Sequence, residues 1–413
     1  GAALSDPRAA ATQAISSATG DRDGWSAREV KESDGFYRVR VERNVSGAAP
    51  QKTVLYLRRT DGTLETAGIG EDLTGAELPR LPENLAPAGE LAASGAVSIA
   101  PATPVYEGGA KGEVTERGIE EAVATVEGYP GVAGFYVIDP RDGSGYGIRP
   151  DEEFFSASTI KVAVMAAVYR KMDSGDLEYS DQLTTNEEDW AAGAGWLRWN
   201  TPGANTTVED ALWLMMTESD NVATNVLMRA VGGPDYVNSV ARDLGAQDTD
   251  LFWKLSSERA AVPALDNHTT PRDMATMLAG IYEGKGFKDF SRDEMLDLMS
   301  RNNLEYWLEG GVPNGIVTAN KGGWLDGIYN DVGIVEYEEK PYVVAIYTMN
   351  GPELEEGSPI LAEISGAVWL TESGKSKEEF GEDRAEQPTE AHPDSDPSPD
   401  EDRSSREDKP RRD

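Results

Sequence analysis

Between residues 116 and 372 the apolar pattern places strands near both ends of the segment and helices between them, and this layout constrains the fold more than any other feature. Residues 134–139 read as a strand, Pro140-Arg141-Asp142-Gly143 as a turn, and residues 145–149 as the returning strand. Far along the chain, residues 330–337 and 341–349 read as two buried strands joined at Glu338-Glu339-Lys340. Residues 119–126 and 360–372 read as helices. A mainly helical stretch runs to about Asn302, and it opens on an apolar helix over 159–172 that Asp173-Ser174-Gly175 stops. Such an order predicts one sheet made from the two ends, with a helical lobe inserted.

The flanks differ in composition. Residues 1–77 read as a small α+β accessory domain, with a helix over 6–19, strands over 36–41, 53–59 and 64–69, and a turn at Asp61-Gly62. Residues 78–115 place Pro79, Pro82, Pro87, Pro101 and Pro104 among Ala, Gly and Ser, which predicts an extended linker. Residues 374–413 hold almost no large apolar side chains and read as a disordered acidic tail with eight basic against fourteen acidic residues.

Charge and composition narrow the function. The formal net charge is −36, and removing the tail still leaves −30, so the acidity belongs to the folded part. A surface of that sign repels nucleic acid and anionic membranes. With no cysteine, disulfides, thiolate nucleophiles and thiolate metal sites are excluded. Only His268 and His392 exist, so no histidine cage for a metal can form and no cofactor is expected. Nucleophilic chemistry in this chain needs a base other than histidine. No apolar run approaches the roughly 18 residues that span a bilayer. The start, Gly1-Ala2-Ala3-Leu4, has neither the basic nor the apolar region of an export signal.

Three short motifs carry chemistry. Ser158-Thr159-Ile160-Lys161 opens the apolar helix, so serine and lysine share one face within hydrogen-bond reach, at a helix N-terminus whose N–H groups suit a developing oxyanion. Lys161 could serve as base if burial and a neighbouring cation such as Lys321 favour its neutral form. Ser219-Asp220-Asn221 precedes a second helix and offers a hydroxyl to relay a proton and an amide to orient substrate and lysine. Lys321-Gly322-Gly323 follows strand-like sequence over 315–320; a lysine on an edge strand suits a substrate carboxylate, and the glycines admit a substrate backbone. Taken singly, each motif also suits a bland role: an N-cap serine with a snorkelling lysine, a capping Ser-Asp, a polar turn.

Together, in this order, the motifs resemble those of the serine acyl-enzyme superfamily of penicillin-binding proteins and class A β-lactamases: Ser-x-x-Lys, Ser-Asp-Asn and Lys-Thr-Gly. Flanking Phe155-Ser156-Ala157, Met215-Met216-Thr217-Glu218, Ala223-Thr224-Asn225 and Thr269-Thr270-Pro271 agree with the resemblance, which covers residues 116–372. It implies an α/β fold of the α+β, β-lactamase/transpeptidase-like type, an antiparallel sheet flanked by helices with an all-helical lobe and the site in the cleft between. It implies that Ser158 attacks a β-lactam or D-alanyl amide, that Lys161 takes the proton, that Ser219 passes one to the leaving nitrogen and that Asn221 orients Lys161. Lys321 would attract the substrate carboxylate, and the N–H groups of Ser158 and Trp324 would form the oxyanion hole. An exported monomer, with possible association with the cell envelope, is the accompanying expectation.

Two departures bear on turnover. Gly322 stands where the family has threonine, which removes a hydroxyl contact to the substrate. The loop between Phe252 and Pro271 is shorter than the class A segment Glu-x-x-Leu-Asn, and against Leu265-Asp266-Asn267 the position of the water-activating glutamate falls on Val262. Glu258 or Asp266 would have to substitute. Acylation is thus better supported than hydrolysis, and three functions stay open: a β-lactamase-like serine hydrolase with slow deacylation, a cell-wall D,D-peptidase, and a non-catalytic envelope-binding protein that retains the fold.

Overall fold

The computed structural model describes residues 6–12, 25–33, 36–43, 51–60, 63–69, 102–108, 116–251, 255, 267–302, 307–338 and 340–380. The N-terminal part is an antiparallel meander of β1 (Trp25–Ser33), β2 (Phe36–Arg43), β3 (Gln51–Thr60) and β4 (Thr63–Ile69), with a helical turn over 7–12. Tyr37, Val39 and Val41 alternate onto one buried face with Leu55 and Leu57, and the register Val39↔Leu55 and Tyr37↔Leu57 sets them side by side. Strand β1 has no counterpart in the sequence reading, because its charged residues and a register shift between Ala27 and Glu29 break the alternation.

The larger unit is built on a six-stranded antiparallel sheet in the order β12-β13-β14-β6-β7-β5. Its members are β5 (Pro104–Glu107), β6 (Val132–Ile138), β7 (Gly145–Ile148), β12 (Val317–Leu325), β13 (Ile328–Glu336) and β14 (Tyr342–Met349). The two ends of the segment do close one sheet, since β14 pairs with β6 through Ala345↔Tyr136. Strand β5 corrects the linker reading over 78–115: Pro104 opens an edge strand, where a missing N–H costs no ladder bond, and Tyr106 pairs with Tyr146 of β7.

The central strands are apolar on both faces because both faces are covered. Ala133, Phe135 and Val137 meet Val344 and Ile346 beneath helices α1 (Glu116–Gly128) and α8 (Pro359–Ser373), whose contributions include Ile119, Ala122, Leu361, Ile364 and Val368. Val132, Tyr136, Val343, Ala345 and Tyr347 face the helical lobe. That lobe surrounds α2 (Lys161–Ser174), buried from Lys161 to Tyr169 and closed by Gly175 in the left-handed conformation. Around it pack α3 (Val208–Thr217), α4 (Asn221–Val231), α5 (Pro234–Asp243) and α7 (Asp289–Ser300), while α6 (Pro271–Tyr282) lies on the sheet. The described chain continues past Ser373 into a helical turn over 377–380, where Phe380 packs against the outer core, so the first residues assigned to the disordered tail are folded onto the domain. Among the described residues no helix is long and apolar enough to cross a membrane.

Candidate active site

The short pairing of β8 (Phe154–Phe155) with β11 (His268–Thr269) delivers the chain to the cleft between the edge strand β12 and the helical lobe. There residues Ala157–Ile160 form a 3-10 turn that runs straight into α2. Ala157 has φ +44°, a left-handed conformation that costs a residue with a Cβ about 1–3 kcal/mol. Ser156, not Ser158, occupies the N-cap position, and it makes no side-chain cap bond. The N–H of Ser158 lies in the first turn, where a helix supplies no acceptor of its own.

Lys161, three residues on, is wholly buried at 0% exposure and so does not snorkel. Its Nζ lies 3.1 Å from Ser158 Oγ, 2.9 Å from Ser219 Oγ, 2.5 Å from the Ser219 carbonyl and 2.9 Å from Asn221 Oδ1. Two of these oxygens, the carbonyl and the amide, can only accept; the two hydroxyls can do either. An ammonium can therefore serve both obligatory acceptors and one hydroxyl. A neutral amine can serve the same two and accept a proton from a hydroxyl. The cage fits both states without rearrangement.

Ser219 and Asp220 divide the work that the sequence left as alternatives. Asp220 caps α4 through Oδ1, which accepts from Ala223 N at 2.8 Å, while Ser219, at φ +53°, turns its hydroxyl to Lys161. The buried Asp220 also accepts the backbone N–H groups of Trp196 (2.6 Å) and Leu197 (2.9 Å) through Oδ2. Asn221 completes the seam: its backbone N–H reaches Ala194 O at 3.1 Å and its Nδ2 reaches Ala192 O at 2.8 Å, which aims Oδ1 at the lysine. Glycine is required here, since a Cβ on Gly195 would fall 2.1 Å from Asp220 Cγ. Nothing in the sequence reading found the loop over 191–197; the closely spaced Gly193 and Gly195 were its only signal.

On the opposite wall, β12 brings the third motif against the nucleophile. A Cβ on Gly323 would lie 2.5 Å from Ser158 N, so this glycine admits the nucleophile turn to the strand. Trp324, the following residue, is exposed. Gly322 pairs with Asp331 of β13, and Lys321 is wholly buried with Nζ on Gly322 O at 2.7 Å. Behind it, burial pushes the Asp331 carboxyl up to about 7, against the opposing pull of Leu308 N–H, the Asn320 amide and the Lys321 charge. Ser158, Lys161, Ser219, Asn221 and the Lys321–Trp324 strand thus converge, whereas Glu258, with Val262 and Asp266, lies outside the described residues.

One residue of that loop is placed. Asn225, one turn beyond Asn221 on the same face of α4, accepts from Leu255 N at 2.7 Å and donates to Leu255 O at 3.1 Å. This two-point contact ties the Leu255 backbone to α4 one turn from Asn221, and the half-buried, apolar Leu255 side chain packs against the core of the lobe. The sequence reading had set the critical loop position at 262.

Known proteins share this architecture. A β-lactamase from Streptomyces lavendulae is 26% identical over 243 residues, 57% of this chain and 80% of its own length. The crystal structure of a β-lactamase from Sphaerobacter thermophilus is 32% identical with a TM-score of 0.58, covering 63% of this chain and 98% of that one. A leucine-to-glutamate variant of PBP-A, solved as an acyl-enzyme complex with penicillin G, is 26% identical with a TM-score of 0.58 over 62% of this chain and 96% of that one. The model of the β-lactamase enzyme family matches residues 116–371, from the start of α1 nearly to the end of α8 and including every element that builds the cleft. With the fold, the motif order and the family match in agreement, the chain belongs to the β-lactamase enzyme family and is a β-lactamase-like serine hydrolase.

Proposed function

We infer that Ser158 is the nucleophile of an acyl-transfer reaction on β-lactams or D-alanyl amides, and that the acyl-enzyme it forms is long-lived. The observation that carries this reading is the buried Lys161, bonded at once to Ser158 Oγ and Ser219 Oγ. In the neutral form Lys161 takes the Ser158 proton as Oγ bonds to the carbonyl carbon. The positive charge is then shared with Asn221 Oδ1 and the Ser219 carbonyl, and Ser219 hands a proton to the departing nitrogen while Lys161 replaces it. The balance closes: one C–O bond forms, one C–N bond breaks, and the serine proton ends on the leaving amine. The oxyanion falls to the N–H groups of Ser158 and Trp324, and the substrate carboxylate to the positive end of the cleft at Lys321.

Slow release follows from Leu255. The one described position between Asp250 and Asn267 that Asn225 ties to α4 carries an aliphatic side chain, and an aliphatic chain cannot activate water. A D,D-peptidase whose natural acyl donor is a D-alanyl peptide is the second reading, favoured by the same residue. By analogy with such enzymes, the chain works outside the cytoplasmic membrane. The test is to incubate the protein with penicillin G and with a chromogenic cephalosporin, following intact mass and absorbance together. A single-equivalent adduct that is lost in Ser158→Ala supports the reading, while rapid absorbance change without accumulated adduct overturns the slow-release part. Absence of any adduct or turnover overturns the nucleophile.

A further inference from the structure

We propose that Thr159 and Tyr347 are positioning residues for the nucleophile turn, setting the direction of the Ser158 N–H and of Oγ through a hydrogen-bond chain that never touches substrate. Thr159 Oγ1 lies 2.6 Å from Ser156 O and 2.8 Å from Tyr347 Oη. A carbonyl cannot donate, so the threonine proton is committed to Ser156 O and the tyrosine must donate to Oγ1. Burial pushes the Tyr347 phenol well above its ordinary range, so it keeps its proton at working pH. The order is fixed: Tyr347 O–H to Thr159 Oγ1, and Thr159 O–H to Ser156 O.

Ser156 O also accepts the backbone N–H of Thr159 at 3.1 Å. Two donors from one residue therefore close on the carbonyl directly before Ala157, the residue held at φ +44°. Three more bonds hold the entry: Ser156 N–H and Oγ both reach Asn267 O, at 2.8 and 2.9 Å, and Asn330 Nδ2 reaches Phe155 O at 2.7 Å. A strained peptide relaxes unless its surroundings over-determine it. Here the surroundings are buried and drawn from β13, β14 and the segment before α6. If the Ser156–Ala157 peptide relaxed, the Ser158 N–H would rotate off the line to the oxyanion while strand β12, with the buried Lys321 and the exposed Trp324, stayed in place. The inference rests on the acyl-transfer reading above, and it predicts a loss in the chemical step rather than in binding.

The test is single-turnover acylation of the full chain by penicillin G, with the rate at saturation and the half-saturating concentration measured separately, in Thr159→Val, Thr159→Ser and Tyr347→Phe. Thr159→Val is expected to slow the saturated rate about 10- to 100-fold with half-saturation changed less than about threefold, since misdirecting one oxyanion donor forfeits part of the roughly 10²- to 10³-fold that removing it costs. Thr159→Ser, which keeps the hydroxyl, is expected to restore the rate to within about threefold, and Tyr347→Phe to fall between. A Thr159→Val protein acylated within twofold of the parent overturns the proposal, as does a Thr159→Ser protein as slow as the valine variant. Should the valine variant fail to fold, the serine and phenylalanine variants decide it by the same criteria. A parent chain that penicillin G does not acylate overturns the acyl-transfer reading instead; a fluorophosphonate probe of Ser158, run in parallel, then reads this proposal, with the same ranking supporting it and equal labelling overturning it.

Discussion

On the proposal that the acyl-enzyme at Ser158 is long-lived, replacing Leu255 by glutamate is expected to shorten its lifetime. Leu255 is anchored through its backbone, by the Asn225 amide at 2.7 and 3.1 Å, so a new side chain at this position inherits the placement of the old one. Asn225 and Asn221 share a face of α4, so the backbone at 255 is tethered one helical turn from the amide that holds Lys161. Desolvation there raises a carboxyl toward neutrality, which suits a general base.

Both sides of the balance follow from the structure. A positioned base contributes about 10²- to 10⁴-fold, equivalent to about 3–5 kcal/mol off the deacylation barrier. Leu255 is only half-buried, so the lost apolar contact costs about 1–2 kcal/mol of stability, which a folded domain of this size tolerates. The assay is the lifetime of the penicillin G adduct by intact mass, with chromogenic cephalosporin turnover alongside. Leu255→Gln is the control, matching size and polarity without a base. An adduct lifetime in a folded Leu255→Glu protein within twofold of the parent would refute the reasoning. So would equal acceleration by glutamine, because the effect would then come from loosening the loop.

Further outcomes follow from the buried polar groups. Asp220→Ala removes the α4 cap and the acceptor for the Trp196 and Leu197 N–H groups; a loss of about 2–4 kcal/mol is expected in urea unfolding, together with slower acylation as the 191–197 seam releases Asn221. Gly195→Ala, whose Cβ would meet Asp220 at φ +108°, is expected to reproduce that acylation defect with Asp220 intact, measured as the saturated rate with penicillin G. Asp331 has a folded value of about 7 against 3.8 ordinarily, so between pH 4 and 7 the folded state holds a proton that the unfolded chain has released. Stability from this group is therefore present at low pH and lost as pH rises through 7, by on the order of 2–4 kcal/mol. Unfolding free energies at pH 5 and 8 should show Asp331→Asn flattening that fall. The Glu309 carboxyl, also raised by burial, continues to act with the same sign in the variant.

What could be read from residues alone was whatever depends on side-chain type in local order. Ser158 and Lys161 are close because three residues span one helical turn, and β6 and β14 announce themselves by unbroken apolar runs. The edge strand β5 was hidden because its evidence is a partner, Gly145–Ile148, some forty residues away, while its own composition is that of a linker. The 191–197 seam was hidden for a deeper reason: it holds Asp220 and Asn221 through peptide N–H and C=O groups, which nearly every residue supplies, so only the glycines that make room for it leave a mark.

Leu255 and Tyr347 extend that argument. One matters through the chemistry it does not offer, and the other acts 188 residues from its partner Thr159. Neither carries a motif, yet each is held by a bond geometry that leaves it one role. The five reactive groups of the cleft are thus the legible part of a larger arrangement. On the proposals above, its rate is set by residues whose identity becomes meaningful only when the carbonyls of Ser156 and Leu255 are traced to the side chains that hold them. That division is open to measurement: changing Ser158 or Lys161 is expected to abolish the reaction, whereas changing Thr159 should alter how fast the acyl-enzyme forms and changing Leu255 how long it lasts, each leaving the other step near its parental value.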